Sequence, residues 1–311
     1  MGVRAGDHGA EASARGAGFA AGVEAGTPTA FSQRSYTPLF RAQNEHRYLR
    51  QQMIFDYQQA YDCNLVVMID QISMESVTLL AELLHDLDPS RDLHMLLGSP
   101  GGDGETAVRL ARMAQAASRR FVLLVPEAAK SAATILALGA HEIVMGPTSD
   151  LGPIDPQVLV PDRGFVGAKD IIAAVERSLN EVALEPNTYP LHAAMLGGIV
   201  ATTVQFARSA LARTGDLARQ AVSSNPDRDA RSVSAVCRRI DKPLISAPHS
   251  HGALIGAREA DKAGLPVREL QPKDPQWQMI WALWTQYFAA GPIHKLLAYE
   301  GVKASQVRTM G

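Results

Sequence analysis

NLVVMI at 64–69, LHMLL at 93–97, FVLLV at 121–125 and EIVM at 142–145 are four short, almost wholly apolar runs. Each has strand length, and none shows the polar alternation of a strand with one wet face. The segments between them carry helical spacing instead. Val77, Leu80, Leu84 and Leu87 share one face of residues 75–87, residues 104–117 read as a second helix, and 131–138 as a short apolar third. Strands buried on both faces and joined by helices imply right-handed βαβ units in a parallel sheet. The fold class expected is therefore α/β.

On either side the pattern changes. Residues 1–35 are mostly Gly and Ala around a single large anchor, Phe19. Ordering so much glycine costs more than it returns, so a disordered tail is expected there. Residues 36–62 read as an N-terminal amphipathic helix, with Tyr48, Gln52, Phe55 and Gln59 near helical spacing. Residues 63–270 then form the α/β domain, with a helical insertion over about 168–240. Within that insertion, 191–221 reads as one long helix or a helical pair. Residues 271–311 are expected as a C-terminal helix and tail, the helix striped by Trp277, Trp281, Trp284 and Phe288. Such a stripe suits the core or a contact between copies.

Composition narrows the function. The chain has 311 residues, with 30 Lys+Arg against 32 Asp+Glu. A polybasic nucleic-acid binder needs an excess of cations, so that class is excluded. Cys63 and Cys237 stand far apart and in no metal-ligand spacing, as reduced structural thiols do. No run reaches the roughly 18–20 apolar residues of a transmembrane span. The expected location is cytoplasmic, with membrane-surface contact as the alternative.

In a parallel sheet, ligands bind at the carboxyl ends of the strands. Two such ends are unusual here. Gly98-Ser99-Pro100-Gly101-Gly102-Asp103-Gly104 follows the second strand, and Glu127-Ala128-Ala129-Lys130-Ser131-Ala132-Ala133-Thr134 follows the third. The first fixes a tight backbone path with exposed amides, but lacks the Lys-Ser/Thr of a phosphate loop. In the second, Ser131 opens a helix of small residues, and is either a plain N-cap or a nucleophile. Asp103 and Glu105 suit caps of the following helix, and Asp150 and Asp155 a Pro-rich loop. Together the two loops offer a hydroxyl and facing amides, the elements of acyl transfer.

SPGGDGE at 99–105, KSAATILALGAHEIVMGP at 130–147, SDLGPIDPQ at 149–157 and PHSHGALIGAREADKAGLPV at 248–267 resemble the serine dehydrogenase proteinase family. These are Clp-fold serine peptidases related to signal-peptide peptidase A and ClpP. The resemblance implies a ClpP/crotonase-like fold of repeated ββα units and a homo-oligomer. It implies a serine endopeptidase acting on a polypeptide substrate, with Ser131 as nucleophile. Gly102 or Gly101, with the amide of Ala132, would form the oxyanion hole. Where the ClpP base would fall, residues 153–157 hold no histidine. Lys169, the only lysine between Ser131 and Lys242, is then a candidate base, 38 residues downstream of Ser131. A lysine serves only when neutral, which demands burial. His249 and His251, near where the ClpP aspartate would align, are alternatives as base, as metal ligands or as loop structure. Lys130 suits substrate binding better than base chemistry. Neither a pyridoxal-type lysine context nor a dinucleotide fingerprint occurs, so no cofactor and no metal are expected. The same fold would also serve acyl-CoA chemistry, which does not need Ser131, or a non-catalytic scaffold.

Overall fold

The computed structural model describes residues 37–161, 163–246 and 253–309. The tail expected over 1–35 and the pair His249 and His251 lie outside them. In chain order the elements are α1 (Pro38–Tyr61), β1 (Cys63–Ile69), α2 (Met74–Leu84), β2 (Asp92–Gly98), α3 (Gly104–Ala116), β3 (Phe121–Val125) and β4 (Ala128–Ala129). Then come α4 (Ala132–Leu138), β5 (Glu142–Met145), β6 (Asp150–Leu151), β7 (Gln157–Val160), β8 (Gly164–Gly167), α5 (Ala168–Leu184), α6 (Tyr189–Met195) and α7 (Ala201–Ser224). The rest are α8 (Ala230–Ile240), α9 (Ala257–Lys262), β9 (Val267–Glu269), α10 (Pro275–Phe288), β10 (Leu296–Glu300) and β11 (Ser305–Thr309).

The main sheet has the order β11-β10-β1-β2-β3-β5-β9. Its central strands are parallel from β1 to β9, as the apolar runs imply. Successive side chains of a strand face opposite ways, so each strand serves two cores. Val66, Met68, Met95 and Leu97 pack with α2, α3, α4 and α7 on one side. Leu65, Val67, Ile69 and Leu96 pack with α1 and α10 on the other. The result is a three-layer α/β sandwich.

Beyond the main strands the chain makes a second, much shorter ladder. Ile72 bridges Gly102, Ser99 bridges Ala129, β4 pairs with β6, and Leu151 bridges Ile255. Each early unit thus runs strand, short second contact, helix. This second ladder carries the loops of the site.

One expectation changes, and two open alternatives are resolved. Residues after 288, read as tail, include β10 and β11, with β10 antiparallel to β1. Of the aromatic stripe of α10, Trp277 and Trp284 belong to the protomer's own core, buried against the sheet, while Trp281 and Phe288 are exposed. The segment 191–221 is the helical pair, α6 and α7, broken at Gly197-Gly198. Across the sheet edge, Arg50 of α1 reaches Glu300 of β10 through Nε at 2.6 Å and Nη2 at 3.2 Å. Tyr287 and Ser305 hydroxyls donate to the same carboxylate at 2.8 and 2.6 Å.

A second buried polar chain fixes α1 and α10 on β2. Gln276 Nε2 donates to the Tyr57 hydroxyl at 2.7 Å, and that hydroxyl lies 2.9 Å from His94 Nδ1. Burial pushes the His94 imidazole down from 6.5 to about 4. Between those values the unfolded chain takes up the proton and the native one does not, so stability falls as pH falls. We expect wild type to lose about 3 kcal/mol more than His94→Gln between pH 6.5 and 4 in urea unfolding. Equal losses would contradict this account of His94.

Candidate active site

The two unusual loops meet. Ser99 N donates to Ala128 O at 2.9 Å and Lys130 N to Ser99 O at 3.0 Å, which lays residues 99–101 beside 128–130. Ile72 N donates to Gly101 O and Asp103 N to Ile72 O, anchoring the other flank. The path between needs glycine. Gly101 has φ +109° and Gly102 φ +135°, where side chains are strained. A Cβ on Gly101 would lie 2.8 Å from both Lys130 O and Ser131 Cβ, so this glycine is pressed onto the serine. The Gly101 amide is already taken, donating to Ser99 Oγ at 3.1 Å.

Ser131 is held in a rarely populated backbone conformation, φ +50° and ψ −112°. Its side chain makes no capping hydrogen bond to α4, although the position is the N-cap. An ordinary N-cap serine has extended backbone and an occupied hydroxyl. Outliers of this kind in non-glycine residues cost about 1–3 kcal/mol and gather at functional sites. The half-buried Ser131 is thus a strained turn with its hydroxyl kept from the helix.

The surroundings lock the turn. Thr134, fully buried, has Oγ1 at 2.9 Å from Ala129 O and 2.8 Å from Gly152 O. Lys130 Nζ forms an ion pair with Asp150 Oδ2, both side chains mostly covered. Asp150 Oδ1 accepts from Ile255 N at 2.8 Å, tying in the strand-like segment that follows His251 in the chain. Asp103 caps α3 through Thr106 N at 2.7 Å, and Glu105 is held by Arg213 at 2.7 and 2.9 Å. Both are accounted for structurally.

Gly101, Gly102, Lys130, Ser131 and Ala132 therefore share one place. Lys169 stands half-buried on the first turn of α5, after the β7–β8 hairpin. That turn is seated by Ala168 N on Pro156 O at 2.8 Å, and Gly167 lies against the buried carboxylate of Asp155. Sequence reasoning missed the partnership of Lys130 with Asp150 and the clamp made by Thr134. Both join residues about twenty apart across a loop, where no periodicity signals contact. Among the described residues no cluster of three or more His, Cys, Asp or Glu could hold a metal ion, and no helix is long and apolar enough to cross a membrane.

No family model matches the chain. Over 87 residues it is 32% identical to an uncharacterised protein of Methanocaldococcus jannaschii. That alignment spans 28% of this chain and 29% of the relative, less than a third of the relative's length. Among solved structures, ClpP1 from Listeria monocytogenes superposes with a TM-score of 0.38 and 12% identity, over 70% of this chain and 98% of that one.

Proposed function

We propose that the chain is a serine hydrolase of the Clp/crotonase type, an endopeptidase working through an acyl-enzyme on Ser131. The observation that carries this reading is the strained Ser131 turn, its hydroxyl not spent on the helix, with Gly101 pressed against it. The Ser131 oxygen attacks the scissile carbonyl carbon as the base takes its proton. The carbonyl oxygen becomes an oxyanion, received by backbone N–H groups. Gly102 and Ala132 suit that role, because the Gly101 amide is engaged by Ser99. The base returns the proton to the leaving amine, and water then releases the acyl group by the reverse sequence. Lys130, tied to Asp150, serves position rather than proton transfer. The base is Lys169, with His251 as the other candidate.

Peptide hydrolysis by purified protein tests the reading. Ser131→Ala is expected to abolish it, and undiminished hydrolysis in that variant would sink the proposal. Lys169→Arg is expected to be as inactive as Lys169→Ala, since a guanidinium cannot accept the proton, with a loss of roughly 10²–10⁴-fold. Near-wild-type hydrolysis in Lys169→Ala, with loss in His251→Ala, would transfer the base to the histidine.

A further inference from the structure

A cleft of about 520 Å³ opens at the carboxyl ends of β1 and β2, between α10 on one side and the loops 98–100 and 127–130 on the other. That volume falls within the roughly 300–1,000 Å³ of small-ligand sites. Pro100 and Lys130 line it, and they are the residues immediately before Gly101 and Ser131. Consecutive Cα atoms stand about 3.8 Å apart, so the cleft begins one residue from the hydroxyl and from the glycine facing it.

Its lining has a definite chemical character. Trp284 and Phe288 give it aromatic walls, their rings edge to face with centroids 5.9 Å apart. The buried Trp284 indole N–H finds no acceptor among the described residues. Asp70 supplies a buried carboxylate, 6% exposed, whose Oδ2 accepts from the Tyr299 hydroxyl at 3.0 Å. Among the described residues Asp70 forms no ion pair, and Arg308 acts on it only from a distance, so burial holds its pKa above the ordinary carboxylate value. Glu127 adds a second carboxylate at the exposed rim. Of the basic groups in the lining, Lys130 is engaged by Asp150, and His294 is the other.

An aliphatic guest would leave Asp70 buried without a counter-charge, and an anionic guest would meet two carboxylates. A guanidinium on a long apolar stem meets both features, stacking on the exposed Phe288 ring and pairing with the carboxylate. We infer that this cleft is the specificity slot of the enzyme, taking the cationic side chain of an arginine next to the peptide bond cleaved at Ser131. The inference rests on the hydrolase reading for its chemistry, but the slot is a binding site in its own right.

Calorimetry on the full-length Ser131→Ala protein tests it without turnover. The probes are N-acetylarginine methylamide and its citrulline counterpart, which keeps the shape and loses the charge. The arginine probe is expected to bind at least tenfold more tightly. Asp70→Asn is expected to remove that difference. Because Asp70 is buried, Glu127→Gln at the exposed rim is the second variant, with an expected loss of about threefold for the arginine probe alone. Equal affinity for the two probes overturns the slot, as does a tenfold preference that survives in both carboxylate variants. Arginine-selective binding in a protein whose Ser131 resists fluorophosphonate would keep the slot and overturn the hydrolase reading, so the two failures are distinguishable.

Discussion

Gly101→Ala is expected to slow fluorophosphonate modification of Ser131 at least 10²-fold while the circular dichroism of the protein stays native. The added Cβ would sit 2.8 Å from Lys130 O and from Ser131 Cβ, contacts that real Cβ atoms do not make. At φ +109° the backbone must also shift to accept any side chain. Relief moves either the glycine loop or the Ser131 turn, and a misplacement near 1 Å costs on the order of 10²-fold in rate. Gly164→Ala is the matched control. It too has positive φ, +76°, but a Cβ there meets nothing within 4 Å, so it strains the backbone without touching the site. A Gly101→Ala protein modified within threefold of the wild-type rate would mean that the two loops do not hold each other.

The largest effect on stability is expected from Arg50→Ala. Glu300 is fully buried and Arg50 nearly so, and the guanidinium engages both carboxylate oxygens. Removing it leaves a buried carboxylate with only the Tyr287 and Ser305 hydroxyls. Breaking a buried pair from one side costs about 3–5 kcal/mol, much of it the stranded charge. For a protein of this size that is on the order of 10 °C in Tm. Differential scanning calorimetry of wild type and Arg50→Ala measures it, and a loss below about 1 kcal/mol would mean that α1 and β10 are not coupled as described.

That coupling also shows where the sequence was legible and where it was not. β1, β2, β3 and β5 stand out because strands buried on both faces must be apolar throughout, and no solvent-facing residue interrupts the run. β10 is equally apolar except for Glu300, which reads as a surface residue. Its counter-charge is Arg50, 250 positions earlier, and a local pattern holds no trace of that partner. The two-residue strands β4 and β6 are too short to show any period. The stripe on α10 was visible as a stripe, but a helical face does not say whether its partner is its own sheet or another copy. The sheet answers, because Gly98 at the end of β2 leaves room for the Trp284 ring.

The meeting of the two loops was legible for the same reason that strands are. Glycines at 101 and 102 and a serine opening a helix of alanines are local signals of tight backbone and close approach. Whether Ser131 merely caps its helix depends on one pair of dihedral angles, which composition does not encode. Its φ of +50° and the missing capping hydrogen bond set it apart from an ordinary N-cap and support the proposed role as nucleophile.

The most direct test of that reading is intact-mass analysis and peptide mapping after treatment with a fluorophosphonate. We expect a single adduct per chain, on the peptide containing Ser131, and none on the Ser131→Ala protein. An adduct that persists in Ser131→Ala, or a wild-type protein that takes up none, would contradict the assignment of Ser131 as the nucleophile.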